Sequence, residues 1–186
     1  MVKVHAREDS IGLKLYTEKL RRLKMIILDT SFLYSLLNKR DTNHTIARKL
    51  FDDIVNQNKF GKPVLFEYVL DEFLTIIGNK YPFTYVRSVI DFILVNLEQG
   101  SFLLVTLDGR DALYDLVKLF KKLNEDKTSF LSFTDCAIIL SMLKNNISYL
   151  ASFDSGFNKV LDKIEEGIYV LTDRKRRELE RVLLSD

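Results

Sequence analysis

Three aspartates stand where short apolar runs stop or where a buried helix opens. Asp29 follows Met25-Ile26-Ile27-Leu28, Asp154 follows Ser148-Tyr149-Leu150-Ala151-Ser152 and Phe153, and Asp135 heads the apolar stretch that begins at Cys136. In an open parallel sheet, catalytic groups gather outside the carboxyl ends of the strands. Carboxylates brought together there repel one another unless a divalent cation neutralises them. Only His5, His44 and Cys136 could add nitrogen or sulfur ligands, and neither histidine falls near these acids in the expected layout. An all-carboxylate cluster selects a hard, oxygen-seeking ion, Mg²⁺ or Mn²⁺ rather than Zn²⁺. Such an ion positions water and neutralises a phosphate under attack, so hydrolysis of a phosphodiester follows.

Each acid also has a purely local reading. Asp29 can cap the helix that follows it. Asp135 completes Ser132-Phe133-Thr134-Asp135, a capping-box spacing. Asp154 opens Asp-Ser-Gly, which is turn composition. What favours chemistry is convergence: the same layout sends all three to one edge of the sheet.

The elements that must position these residues are legible from periodicity. Apolar runs predict strands at 25–28, 63–66, 101–105, 148–152 and 167–171. Helical spacing predicts helices at 32–37, 42–58, 68–77 (closed by Gly78-Asn79), 83–97, 110–123 and 133–145, with a basic terminal helix over 173–184. From Cys136 to Leu143 only Ser141 is polar, so that helix must be buried nearly all round. Alternating strands and helices imply an α/β fold, a three-layer α/β/α sandwich around a mostly parallel sheet of about five strands.

The composition allows this and excludes much else. The chain has 186 residues, 47% hydrophobic and 29% charged, with 7 Gly and 2 Pro and no linker-like stretch, which suits one domain with a real core. No apolar run approaches the ~20 residues needed to span a bilayer. One cysteine excludes an internal disulfide, and residues 1–24 lack the apolar core of a signal peptide, so a cytoplasmic location is expected. The net charge of +2 does not announce a nucleic-acid binder, but residues 1–24 carry +4 and leave the body at −2. Local clusters such as Lys39-Arg40 could still meet a polyanion, although such clusters are commonly solvated helix faces.

Leu28-Asp29-Thr30-Ser31 after a strand, Glu72 in a second helical segment, the run from Leu131 to Ile139 around Asp135, and Ser152-Phe153-Asp154 with Phe157 together resemble the motif set of PIN-domain ribonucleases, and within them the VapC-type toxins of toxin–antitoxin pairs. The resemblance covers about residues 25–172. It implies a PIN-like fold and a metal-dependent endoribonuclease acting on RNA. It also implies a catalytic and metal-binding set of Asp29, Glu72, Asp135 and Asp154, with Ser31 and Ser152 as supporting hydroxyls. Periodicity hardly separates Glu72 from Asp71; the family pattern makes that choice. An antitoxin protein partner and a homodimer are further implications of the resemblance.

The expected division is a basic N-terminal extension over 1–24, a PIN-like nuclease domain over 25–172 and a C-terminal helix over 173–186. The extension is either an over-long gene start, since Met25 stands where a start is expected, or a genuine helix with Leu13, Tyr16, Leu20 and Leu23 on one face. Two competing functions stay open. One is a catalytically silent PIN-like scaffold that binds RNA or a protein. The other is phosphotransfer with Asp29 as nucleophile, disfavoured because Ser31 stands where that chemistry usually places a second Asp.

Overall fold

The computed structural model describes residues 24–126 and 129–184. The suggested helix within residues 1–24 lies outside the described residues except for Lys24. Among the described residues the order is β1 (Met25–Leu28), α1 (Thr30–Leu37), α2 (His44–Val55), β2 (Lys62–Phe66), α3 (Glu67–Lys80), α4 (Phe83–Glu98), β3 (Leu103–Val105), α5 (Gly109–Leu123), α6 (Phe133–Lys144), β4 (Tyr149–Ala151), a 3₁₀ turn (Ser155–Lys159), β5 (Asp162–Glu165), β6 (Ile168–Val170) and α7 (Asp173–Leu184).

The six strands form one sheet in the order β3-β2-β1-β4-β6-β5. β1, β2, β3 and β4 run parallel, whereas β6 pairs antiparallel with both β4 and β5. All four residues of β1 are buried, so neighbouring side chains on opposite faces are both covered, as a parallel sheet between helical layers requires. The chain steps from β1 outward through β2 to β3 and then returns to the other side of β1 as β4. The order therefore reverses between β1 and β4, and ligand crevices form at such a reversal.

Two expectations are corrected. The sheet has a sixth strand, β5, whose sequence Asp-Lys-Ile-Glu offers one apolar residue, Ile164, and that one is exposed. An edge strand held by its hairpin partner needs no buried face, so periodicity gave no sign of it. The hairpin turns at Gly167, whose φ of +80° suits glycine and whose absent Cβ would meet Phe153 at 2.8 Å. In addition, α3 does not close at Gly78-Asn79 but runs on to Lys80. Tyr81, held extended at φ −126° and ψ 154° by the following Pro82, ends it instead.

Helices acquire their faces as the periodicity anticipates. In α5, Ala112, Leu116, Leu119 and Leu123 are buried at three- and four-residue spacing. In α6 every residue from Cys136 to Met142 is buried, so the helix is enclosed by the sheet and its neighbours. Each fully buried Ile or Leu there contributes roughly 1.5–3 kcal/mol. Enclosure on all sides leaves α6 little freedom to rotate, and so fixes where its first turn points. Among the described residues no helix is long and apolar enough to cross a membrane.

Candidate active site

Asp29 is the first residue after β1, and its amide donates to the Ala151 carbonyl at 3.0 Å, extending the β1–β4 pairing by one residue. That register sets Asp29 beside Ser152. The aspartate is only 4% exposed, and its Oδ2 accepts hydrogen bonds from Ser31 Oγ at 2.6 Å and Ser152 Oγ at 2.7 Å. Its side chain also caps α1 through the Ser31 amide, so the local reading of Asp29 holds alongside any other.

The two hydroxyls are fully committed. Each has one proton, and each gives it to Asp29. Each then accepts a backbone amide at 3.0 Å, Ser31 Oγ from Phe153 and Ser152 Oγ from Asp154. The 3.2 Å contact between the two oxygens therefore has no proton of its own. In this way the start of α1 and the loop after β4 are laced together around one carboxylate.

Glu72 arrives from α3. Its Oε2 accepts the Thr30 hydroxyl at 2.7 Å, which brings it next to Asp29, while Asp71 faces solvent. Burial pushes the Asp29 carboxyl above the ordinary carboxylate range; the Ser31, Ser152 and Thr30 donors pull it back, and the charge of Glu72 pushes it up again.

Asp135 sits in the first turn of α6 and closes the capping box with Ser132. Its amide donates to Ser132 Oγ at 3.0 Å, and its Oδ2 accepts the Ser132 amide at 2.7 Å. Burial, opposed by the Ser132 donors and reinforced by the charges of Asp29 and Asp154, pushes its carboxyl up to about 6. Asp154 is exposed and caps the 3₁₀ turn, accepting the Gly156 amide at 2.7 Å. Its carbonyl accepts the Tyr169 hydroxyl at 3.0 Å, which ties it to β6.

The fold thus brings Asp29, Glu72, Asp135 and Asp154 into one electrostatic neighbourhood at the β1–β4 reversal. Among the described residues none of the four forms an ion pair with Lys or Arg. Nor is any group of three or more His, Cys, Asp or Glu drawn together closely enough to hold an ion. The reason is visible in the bonding: each carboxylate rests on its own local hydroxyl or amide donors. In kind, the donor set fits a hard divalent cation, being all oxygen. Its spacing would have to tighten by side-chain rotation to enclose one.

Three contributors escaped the sequence reading. Thr30 holds Glu72, Tyr169 holds the Asp154 carbonyl, and Phe153 stacks on Phe32 with ring centroids 6.0 Å apart. Thr30 could have been suspected from its place beside Asp29. Tyr169 depends on the β4–β6 pairing and the Phe153 stack on the β1–β4 pairing, neither of which has a local signal.

Comparison with known proteins agrees with this architecture. No curated protein sequence matches the chain. Among solved structures, VapC20 of Mycobacterium tuberculosis, described as a toxin cleaving the sarcin–ricin loop, superimposes with a TM-score of 0.56 at 20% identity over 72% of this chain and 92% of that one. VapBC2 of Rickettsia felis, bound to a DNA fragment from its promoter, gives a TM-score of 0.54 at 14% identity over 73% of this chain and 92% of that one. At these identities the likeness speaks for the fold. The PIN domain matches residues 26–163, from the second residue of β1 into β5. The chain belongs to the PIN-domain family.

Proposed function

We propose that the protein is a divalent-cation-dependent endoribonuclease, the toxin of a toxin–antitoxin pair. One observation carries this reading: four carboxylates from separate parts of the chain converge at the β1–β4 reversal without a basic counter-ion among the described residues. A fold spends stability to place like charges together, and such clusters mark sites more than scaffolds. The likeness to VapC20 and VapBC2 supports RNA as substrate and a small antitoxin protein as partner. The homodimer rests on family resemblance alone.

In this reading Asp29, Asp135 and Asp154 hold Mg²⁺ or Mn²⁺, with Glu72 as a fourth group. The bound ion supplies neutralisation of the phosphate and activation of water. The remaining work belongs to the chain. Ser31 and Ser152 fix the Asp29 carboxylate in one orientation before substrate arrives, so the side-chain rotation that closes the site falls to the other acids. Thr30 holds Glu72 where it can accept a proton from the attacking water. The capping box holds Asp135 on a helix too enclosed to move.

A second reading has an observation of its own. The carboxylates sit on local donors with spacing too loose for an ion, as a scaffold that has ceased to cut would also show. Cleavage of a structured RNA pool by partner-free protein separates the two. Cutting that requires Mg²⁺ or Mn²⁺, stops with EDTA and is lost in Asp29→Asn supports the nuclease. Absence of both cutting and cation binding supports the scaffold.

A further inference from the structure

Two side-chain hydrogen bonds join α1 to α3. Near the acids, Thr30 meets Glu72; at its far end, Lys80 Nζ donates to the Tyr34 hydroxyl at 3.2 Å and lies 4.4 Å from the centre of the Tyr34 ring. Eight residues of helix separate Glu72 from Lys80, roughly 12 Å along the axis. Around that far end the structure gathers rings and cations. Tyr81 packs on Tyr85 with centroids 5.0 Å apart, and its hydroxyl interacts with that of Tyr34 and feels the charge of Arg40. One turn into α4, the Arg87 guanidinium lies 5.6 Å from the ring centre of Phe83, which is 68% exposed.

Four basic side chains surround these rings. Lys39, Arg40, Lys80 and Arg87 are all exposed, and among the described residues none of them pairs with a carboxylate. Other described basic side chains, among them Arg48, Lys49 and Lys121, also have no carboxylate partner, so what sets this patch apart is the rings gathered among its cations. Half-buried tyrosines interleaved with unpaired cations satisfy the two needs of single-stranded nucleic acid: flat surfaces for bases and positive charge for the backbone. A duplex offers its bases no such access.

We infer that Tyr34, Tyr81, Tyr85, Arg40 and Lys80 form a binding platform for single-stranded RNA, which holds the strand a few nucleotides from the bond placed at the acids. This deepens the nuclease reading and rests on it for the choice of RNA. The platform explains how a protein whose net charge is only +2 could grip a polyanion. It acts through binding and register, with no part in the bond-breaking step.

The test is fluorescence anisotropy of a labelled single-stranded oligoribonucleotide with the full-length Asp29→Asn protein across a salt series. Arg40→Gln/Lys80→Gln is expected to weaken binding by about tenfold and flatten the salt dependence by about 1.4 in log–log slope. Tyr85→Leu is expected to weaken it by ~5-fold or more, with Tyr85→Phe restoring most of the loss because the ring is kept. Lys49→Gln/Lys121→Gln removes the same charge elsewhere and is expected to change affinity less than ~2-fold. Equal losses from both charge pairs, unchanged affinity in the platform variants, or no RNA binding by the parent would each overturn the platform. Cleavage by the unmutated chain is scored separately. Cutting with unchanged platform affinity defeats only the platform, whereas platform-dependent binding without any cutting keeps the platform and defeats the nuclease.

Discussion

Carboxylates occur in this protein in two opposite settings. On the surface, Asp115 meets Lys144 at 2.7 Å, Glu165 meets Lys59 at 2.8 Å and Glu166 meets Lys163 at 2.7 Å. At the β1–β4 reversal, Asp29 and Asp135 are turned toward serine hydroxyls and backbone amides, with other acids as their charged neighbours. The surface pairs are screened by water and nearly neutral in energy. The edge acids are desolvated and repelled. The difference teaches that the same residue type sits in opposite electrostatic settings, and that withholding the counter-charge is what marks the edge acids as candidates.

The sharpest way to break this contrast is to neutralise one acid of each kind. Asp135→Asn keeps an oxygen to accept the Ser132 amide, so the capping box and the fold should survive. If the proposed site is right, it is expected to lower kcat/KM for RNA by about 100-fold or more, because a charge that would hold the ion is lost. Near-normal cleavage by that variant would remove Asp135 from the site.

The pH response sharpens the same contrast. In the fold the Asp135 carboxyl titrates at about 6, above its ordinary value of 3.8, so the folded protein holds this proton more tightly than the unfolded chain does. Its contribution to stability is therefore full below about pH 4 and is lost as pH rises through about 6. Without divalent cations, the Tm of Asp135→Asn relative to the parent is expected to rise between about pH 4 and pH 7. A difference that is flat across this window would show that Asp135 is not strained.

The smallest effect belongs to the surface. Asp115→Asn removes the partner of Lys144, and is expected to cost no more than about 1 kcal/mol in denaturant unfolding and to leave cleavage unchanged. A large loss of stability there would erase the distinction between the two settings.

Much of the architecture was legible because local signals agreed. Four buried residues ending at Asp29, the unbroken apolar stretch of α6 and the four-residue beat of α5 each stated an element and its face. β5 was silent because an exposed edge strand needs no apolar pattern, and the end of α3 was misplaced because Pro82 outweighs a glycine that is content in a helix. The acids themselves were visible as strand-end and cap residues. Their partners were not: the choice of Glu72 over Asp71 came from family pattern, and the bond that Glu72 accepts from Thr30 joins residues 42 positions apart.

By itself, then, the sequence determined most of the strands and helices, β5 excepted, and which aspartates stand at their ends, since periodicity and capping act over a few residues. Only the tertiary structure decided that Ser31 and Ser152 share one carboxylate, that Tyr34 meets Lys80, and that the edge acids lack counter-ions among the described residues. The Tyr34–Lys80 and Ser152–Asp29 contacts join residues 46 and 123 positions apart. Their geometry follows from strand order and helix packing, which no local pattern encodes.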